Sequence, residues 1–347
     1  MSAPGTALLD AGRLADCLRS HGLSRGAPLA ITPLAGGQSN PTFVVDDGSR
    51  RFVLRKKPPG ALLPSAHAID REYRVMQALQ GSEVPVPRTL CYCSDEAIVG
   101  TPFYLMEFLE GRVLLDQALP GMSANERGAV YRDMNRVIAA LHAVDWGAAG
   151  LADFGRPGHY IARQVARWTR QTTESTLPVP AALRRLMDWL PANLPPEGAT
   201  TLVHGDYRLD NLILHPTEPR IVGVLDWELS TLGDPLADFA YHCMSWRVPA
   251  SLWRGIGRLD LAALGIPGED AYLRAYAERT GRDAGTHWEF YLAFNLFRMA
   301  AILHGIAQRA ASGSAAAADA AETGRKAGPL AELGWQCALR YQAAQRA

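Results

Sequence analysis

Thr201-Leu-Val-His-Gly-Asp-Tyr-Arg-Leu-Asp-Asn-Leu-Ile-Leu214, followed by Ile221-Val-Gly-Val-Leu-Asp-Trp227, decides how the chain is read. Apolar β-formers lead into a polar turn carrying His204, Asp206 and Asn211; apolar residues then resume, and a second short strand delivers Asp226. Transfer of a γ-phosphoryl group needs a carboxylate to orient the attacking hydroxyl and oxygen ligands to hold magnesium on the phosphates. Asp206, Asn211 and Asp226 could supply all three groups. The amide oxygen of Asn211 and the carboxylate of Asp226 are hard donors, suited to Mg2+, which keeps several waters and takes only one or two carboxylates.

His204-Gly-Asp-Tyr-Arg-Leu-Asp-Asn211 resembles the catalytic loop H-x-D-x-x-x-x-N of the aminoglycoside phosphotransferase and choline kinase superfamily, relatives of the protein kinases. The resemblance implies an α+β fold of two lobes: a small antiparallel-sheet N-lobe over residues 1–110 and a larger, mainly helical C-lobe over 111–347. It implies Asp206 as the catalytic carboxylate, Asn211 and Asp226 as metal ligands, and ATP with Mg2+ as the phosphoryl donor. Protein kinases continue from the equivalent of Asp226 as D-F-G, whereas this chain reads Asp226-Trp227-Glu228. Arg208 stands where protein kinases carry a lysine facing the γ-phosphate; a surface arginine is the competing reading. His204 reads as a structural residue that holds the loop, and Asp234 and Asp238 in Gly233-Asp-Pro-Leu-Ala-Asp238 as a helix cap and a buried brace.

Around this core, composition sets the bounds. The chain has 347 residues and 48% hydrophobic content, enough to bury a large core. Lys+Arg and Asp+Glu are each 35, so a net charge of zero calls for neither nucleic acid nor an anionic membrane. Five scattered cysteines without a C-x-x-C pair read as idle thiols in a reducing compartment. With no apolar leader and no run read as a spanning helix, the expectation is a cytoplasmic protein of undetermined oligomeric state.

In the first lobe, residues 29–33, 42–45 and 51–57 read as strands, 66–79 as a helix, 88–93 as an edge strand and 101–109 as a strong strand. Phe52-Val-Leu-Arg55 aligns with the kinase V-A-I-K, which places Arg55 where the resemblance calls for a phosphate-contacting lysine, with Glu72 on the helix as its partner. Arginine keeps the charge and changes the geometry. Gly37 and Ser39, within Gly36-Gly-Gln-Ser-Asn40, lie at a turn whose backbone N–H groups could cover phosphates. Glu107 and Leu109 stand where the family's adenine-binding hinge would be. From the capping box at Ser123 onward the pattern is helical, apart from strands near 201–204, 211–214 and 220–226.

The acceptor is the least legible part. Arg163 and Arg167, in Tyr160-Ile-Ala-Arg-Gln-Val-Ala-Arg167, form a basic stripe that reads as a contact for an anionic hydroxyl acceptor or as a solvated face. Gly36–Asn40, Val53-Leu-Arg-Lys-Lys57, the His204–Asn211 loop and Leu225–Pro235 also resemble the kinase-like portion fused to some acyl-CoA dehydrogenases, which implies a hydroxyacyl-CoA acceptor. An aminoglycoside or choline-type kinase, or a catalytically silent nucleotide-binding module, are the alternatives.

Overall fold

A strand can neither pair its backbone groups nor cover its apolar side chains alone, and here five strands form one antiparallel sheet. A computed structural model describes residues 9–24, 28–34, 40–60, 68–283, 285–313 and 319–346. The first strands are β1 (Ala30–Pro33), β2 (Thr42–Asp46) and β3 (Arg51–Lys56), preceded by helix α1 (Ala11–Ser20). Helix α2 (Ile69–Leu79), β4 (Thr89–Cys93), the short α3 (Glu96–Val99) and β5 (Phe103–Glu107) follow. The order is β1-β2-β3-β5-β4, so the proline-flanked β4 is an edge strand, as its sequence requires. Gly37 and Ser39 lie outside the described residues.

One face of the sheet is closed by α1 around Leu14, Leu18, Val45, Leu54 and Leu105. The other carries α2, and its core of Val53, Val75, Met76 and Met106 runs without a break into the helical half. The β2–β3 turn is pinned by Asp47, whose Oδ1 accepts from Ser49 N at 3.0 Å, Ser49 Oγ at 2.7 Å and Arg50 N at 2.8 Å. Burial alone would raise the Asp47 pKa, but these hydrogen bonds outweigh it and hold the carboxyl down to about 2. Its contribution is therefore present above the unfolded carboxylate value of about 3.9 and is lost as pH falls through about 2. Asp47→Asn is expected to flatten the loss of stability between these two values, measured by urea unfolding at a series of pH values.

Beyond the sheet come α4 (Ala124–His142), α5 (Tyr160–Thr173), α6 (Ala181–Ala192), β6 (Thr201–Val203), β7 (Leu212–Leu214), β8 (Ile221–Val224) and β9 (Thr231–Gly233). Then α7 (Pro235–Cys243), α8 (Leu261–Leu264), α9 (Glu269–Thr280), α10 (Trp288–Ala311), α11 (Ala320–Arg325) and α12 (Ala327–Ala344) complete the chain. The capping box at the start of α4 is present, Ser123 accepting from Glu126 N and the Glu126 carboxylate accepting from Ser123 N. The reading of the chain as free of any spanning-length apolar run needs one correction: α10 is long and apolar enough to cross a membrane. Its most apolar stretch is 78% buried, packed against α5, α6, α7, α11 and α12 as the axis of the helical half.

Two small sheets hold the candidate site. β7 and β8 form a hairpin, while β6 pairs with β9, a strand the sequence reading missed. Between the halves, Gly111 passes so close to the β7–β8 hairpin that an added Cβ would overlap Ile213 Cγ2 and the Leu214 carbonyl. The next residue makes two backbone bonds to the hairpin, Arg112 N to Leu214 O at 2.8 Å and Leu214 N to Arg112 O at 2.9 Å. Gly111→Ala should cost about 1–3 kcal/mol by overpacking and loosen this crossing, read by thermal unfolding.

Candidate active site

The turn after β6 is fixed by one buried carboxylate. Asp238, on the first turns of α7, accepts from His204 N through Oδ2 and from Gly205 N through Oδ1, each at 2.8 Å. Burial would raise the Asp238 pKa, but the His142 imidazole at 3.2 Å and the loop's hydrogen bonds outweigh it, leaving the carboxyl below its ordinary range. Asp234 caps the same helix, Oδ1 accepting from Leu236 N at 2.8 Å and Ala237 N at 3.0 Å. His204 is fully buried; its Nε2 lies 2.9 Å from the Leu225 carbonyl and its Nδ1 3.2 Å from Asp206 N. This pattern assigns the proton to Nε2 and makes His204 a tie between the two segments. The brace role of Asp238 and the structural role of His204 both follow from these contacts.

The loop so held presents Asp206. Its Oδ2 accepts from Asn211 Nδ2 at 3.0 Å, and Tyr241 donates its hydroxyl to Oδ1. Asn211 Nδ2 also reaches the Asp206 carbonyl at 2.9 Å, so the amide nitrogen is committed to Asp206 and the amide oxygen is left for another partner. Arg208 Nε lies 3.2 Å from Asp206 Oδ2 and 3.3 Å from Asp210 Oδ1, and Arg254 pairs with the other Asp210 oxygen. Burial would lower the Arg208 pKa, but these carboxylates raise it overall.

Asp226 follows β8 in the left-handed region, at φ 64° and ψ 58°. Aspartate visits this region more readily than most residues, and the turn ends the strand. Arg55 on β3 reaches it, Nη2 to Asp226 Oδ1 at 2.8 Å, while Nε lies 2.8 Å from Glu72 Oε2 on α2. Glu72 is 1% exposed and also accepts from Asn40 Nδ2 at 2.8 Å and from Tyr104 hydroxyl at 3.0 Å. Burial pushes its carboxyl up to about 7, against the downward pull of the Arg55 guanidinium. For Arg55 itself, burial lowers the pKa and the carboxylates more than restore it. Lys56 points to the other side of the strand, donating to the Val99 carbonyl.

Beside this cluster is a cleft of about 250 Å³ between the sheet and the β7–β8 hairpin. Val53, Met76, Tyr104, Met106, Ile213 and Leu225 make it apolar, and the chain from Glu107 through Leu109 forms one wall. Arg55 and Asp226 stand within it. Glu107 turns its carboxylate back to accept from Arg88 N at 2.8 Å, so the side chain is tied to the strand. An apolar slot closed at one end by a guanidinium and a carboxylate suits a flat base with a phosphate tail.

A second pair of adjoining hollows opens on the Asp206 side. The inner one is lined by Gln117, Arg208, Tyr241, Met244, Trp253 and Arg254, and the outer one, about 500 Å³, adds Leu115, Asp116, Leu252, Asp319 and Lys326. Lys326 and Arg254 lie over the Trp253 ring at 5.3 Å and 5.7 Å. Neither Arg163 nor Arg167 lines these hollows. Arg163 instead turns back on its own loop, donating to the carbonyls of Gly158 and Arg156, and Arg167 lies 5.2 Å over the Trp168 ring. The basic stripe on α5 is thus a cap on the preceding loop joined to an exposed face; the basic group on Asp206 is Arg208, and Arg254 and Lys326 line the hollows beyond it.

Sequence reasoning missed Tyr241, Trp253, Arg254 and Arg298. Tyr241 had a signal: it follows Asp238 by three residues on a helix and so shares its face. Arg298 had another, as a lone charge inside the apolar run Phe290–Ala301.

Comparison with known proteins agrees with this geometry. The model of the phosphotransferase enzyme family (APH) matches residues 30–294. Acyl-CoA dehydrogenase family member 10 of Mus musculus is 47% identical over 315 residues, covering 90% of this chain and 30% of that protein. Acyl-CoA dehydrogenase family member 11 of Rattus norvegicus is 41% identical, covering 93% of this chain and 42% of that protein. The chain therefore spans less than half the length of these relatives. A crystal structure of a candidate aminoglycoside phosphotransferase from Ralstonia eutropha superposes with a TM-score of 0.88 at 51% identity, covering 95% of this chain and 98% of that one. The aminoglycoside 2'-phosphotransferase-IIIa structure, at 14% identity and a TM-score of 0.63, shares the fold. With its antiparallel-sheet N-lobe, its helical C-lobe and the loop from His204 to Asn211, the chain belongs to the phosphotransferase enzyme family.

Proposed function

We propose that this chain transfers the γ-phosphoryl group of ATP to a hydroxyl of a small molecule. The observation that carries the reading is that Asn211 bonds the Asp206 carboxylate and, through its carbonyl, accepts from Leu225 N beside Asp226, which stands in a base-sized cleft. The donor set fits Mg2+: Asn211 has a free amide oxygen and Asp226 has one carboxylate oxygen not taken by Arg55. When bound there, Mg2+ neutralises phosphate charge and aligns the β- and γ-phosphates.

Asp206 accepts a hydrogen bond from the acceptor hydroxyl and orients its oxygen toward the γ-phosphorus. As the new P–O bond forms, the bond to the β-phosphate oxygen breaks and ADP leaves. The hydroxyl proton passes to Asp206 late in the step, so positioning counts for more than base strength. Arg55, already charged and shared between Glu72 and Asp226, offers its remaining donors to the phosphates. The silent-module alternative leaves the Asp206–Asn211 pair without a purpose.

For the acceptor we favour a hydroxyacyl-CoA or another anionic alcohol. Names of the dehydrogenase relatives motivate this, and Leu115, Leu252 and Trp253 give the outer hollow apolar surface for an acyl chain, while its Arg254 and Lys326 stand with Asp116 and Asp319. The test is ADP release from Mg-ATP across hydroxyacyl-CoAs, aminoglycosides and amino alcohols. Stimulation by the acyl-CoA group alone is expected; stimulation by aminoglycosides alone would overturn the acceptor assignment.

A further inference from the structure

α10 carries a buried cation that the reaction described above leaves unexplained. Arg298 is 6% exposed, and among the described residues it has no carboxylate within ion-pair distance. Its Nη2 donates to the Gly205 carbonyl at 2.8 Å, its guanidinium lies 5.2 Å over the Tyr241 ring, and its Nε has no partner. Burying a guanidinium without a counter-ion is costly, and an apolar residue would pack α10 more cheaply. The two groups it touches are the residue preceding Asp206 and the residue bonded to Asp206 Oδ1.

The same face of α10 grips the same region one and two turns earlier. Asn295 Nδ2 donates to the Ala237 carbonyl at 2.9 Å, and Tyr291 hydroxyl lies 3.4 Å from Asp234 Oδ2. Tyr291, Asn295 and Arg298 are spaced i, i+4, i+7, so one helical stripe addresses α7 and the catalytic loop together. Tyr241 is itself buried, so its hydroxyl needs a partner and finds it in Asp206.

We propose that Tyr241 and Arg298 are a positioning pair for Asp206. Arg298 fixes the Tyr241 ring through its face and the turn through the Gly205 carbonyl; Tyr241 then holds Oδ1 while Asn211 holds Oδ2. Both carboxylate oxygens are thereby held in one orientation, and Oδ1 keeps a lone pair able to meet an acceptor hydroxyl. The pair acts in series, through Asp206, and neither residue lines the apolar cleft. This rests on the phosphotransferase reading of Asp206.

A double-mutant cycle tests it, using Tyr241→Phe, Arg298→Met and the double variant, with Arg298→Lys as the conservative control. Readouts are kcat for ADP release with a turned-over acceptor, or with water when none is found, together with ADP affinity and thermal midpoint. Tyr241→Phe should lower kcat by roughly 10- to 100-fold, with ADP affinity within error of the parent and a thermal midpoint only a few degrees lower. Arg298→Met should lower kcat similarly, Arg298→Lys should recover part of it, and the double variant should fall no lower than the worse single. Full kcat in Tyr241→Phe, or losses that multiply in the double variant, would overturn the pair. If the parent and Asp206→Ala release ADP at the same rate, the phosphotransferase reading fails first and takes the pair with it.

Discussion

Asp206→Asn is expected to lower acceptor-dependent ADP release on the order of a thousandfold while nucleotide affinity stays within about twofold. The amide keeps the shape of the side chain, so the Asn211 and Tyr241 contacts are lost or reversed without opening a cavity. What disappears is an anionic acceptor for the attacking hydroxyl. Because Asp206 is not among the residues lining the apolar cleft, nucleotide binding should not register the change. Turnover is followed by coupled ADP detection and affinity by calorimetry with a non-hydrolysable ATP analogue. A fall in affinity matching the fall in rate would mean that Asp206 serves nucleotide binding.

Asp226→Asn should have the second-largest effect, roughly a hundred- to a thousandfold in kcat, with a different signature. Asp226 is the second carboxylate on Arg55 through Oδ1, so the guanidinium and a metal ion would share its charge. Removing its charge frees Arg55 for phosphate and takes away the anionic member of the Asn211–Asp226 donor set proposed for Mg2+. Nucleotide affinity without Mg2+ should therefore hold or rise, and the gain on adding Mg2+ should vanish. Calorimetric titrations with and without EDTA separate the two contributions. An undiminished Mg2+ gain in the variant would move metal binding to other groups.

Much of this site is legible in the sequence because its chemistry is local. Asp206 and Asn211 lie within a six-residue turn, and Asp226 ends the hairpin that begins there, so a fixed spacing in sequence is a fixed geometry in space. Arg55 and Glu72 are legible for another reason: a strand and the helix following it pack with predictable faces, and a buried carboxylate needs a cation. Tyr241 and Arg298 are not, because their meaning depends on α7 and α10 packing against the loop from sequence distances of 35 and 93 residues.

The acceptor side misleads for the same reason. Arg163 sits on a helical stripe that looks available, yet Gly158 and His159, both at positive φ, fold the preceding loop back so that its carbonyls take the guanidinium. A helical wheel carries no information about such a loop. Trp253 and Arg254 lie in the irregular stretch after α7, where no periodicity marks a function. β9 escapes because three residues, Thr231–Gly233, are too short to show alternation, and pairing with β6 alone makes them a strand.

The central claim is that Asp206 directs a phosphoryl group onto a hydroxyl, and phosphorus NMR of the reaction mixture tests it most directly. With Mg-ATP and the acceptor that stimulates ADP release, a new phosphate-monoester resonance should grow in step with ADP. It should be absent with Asp206→Asn at equal protein concentration. Appearance of the same monoester at an undiminished rate in the Asp206→Asn variant would contradict the account.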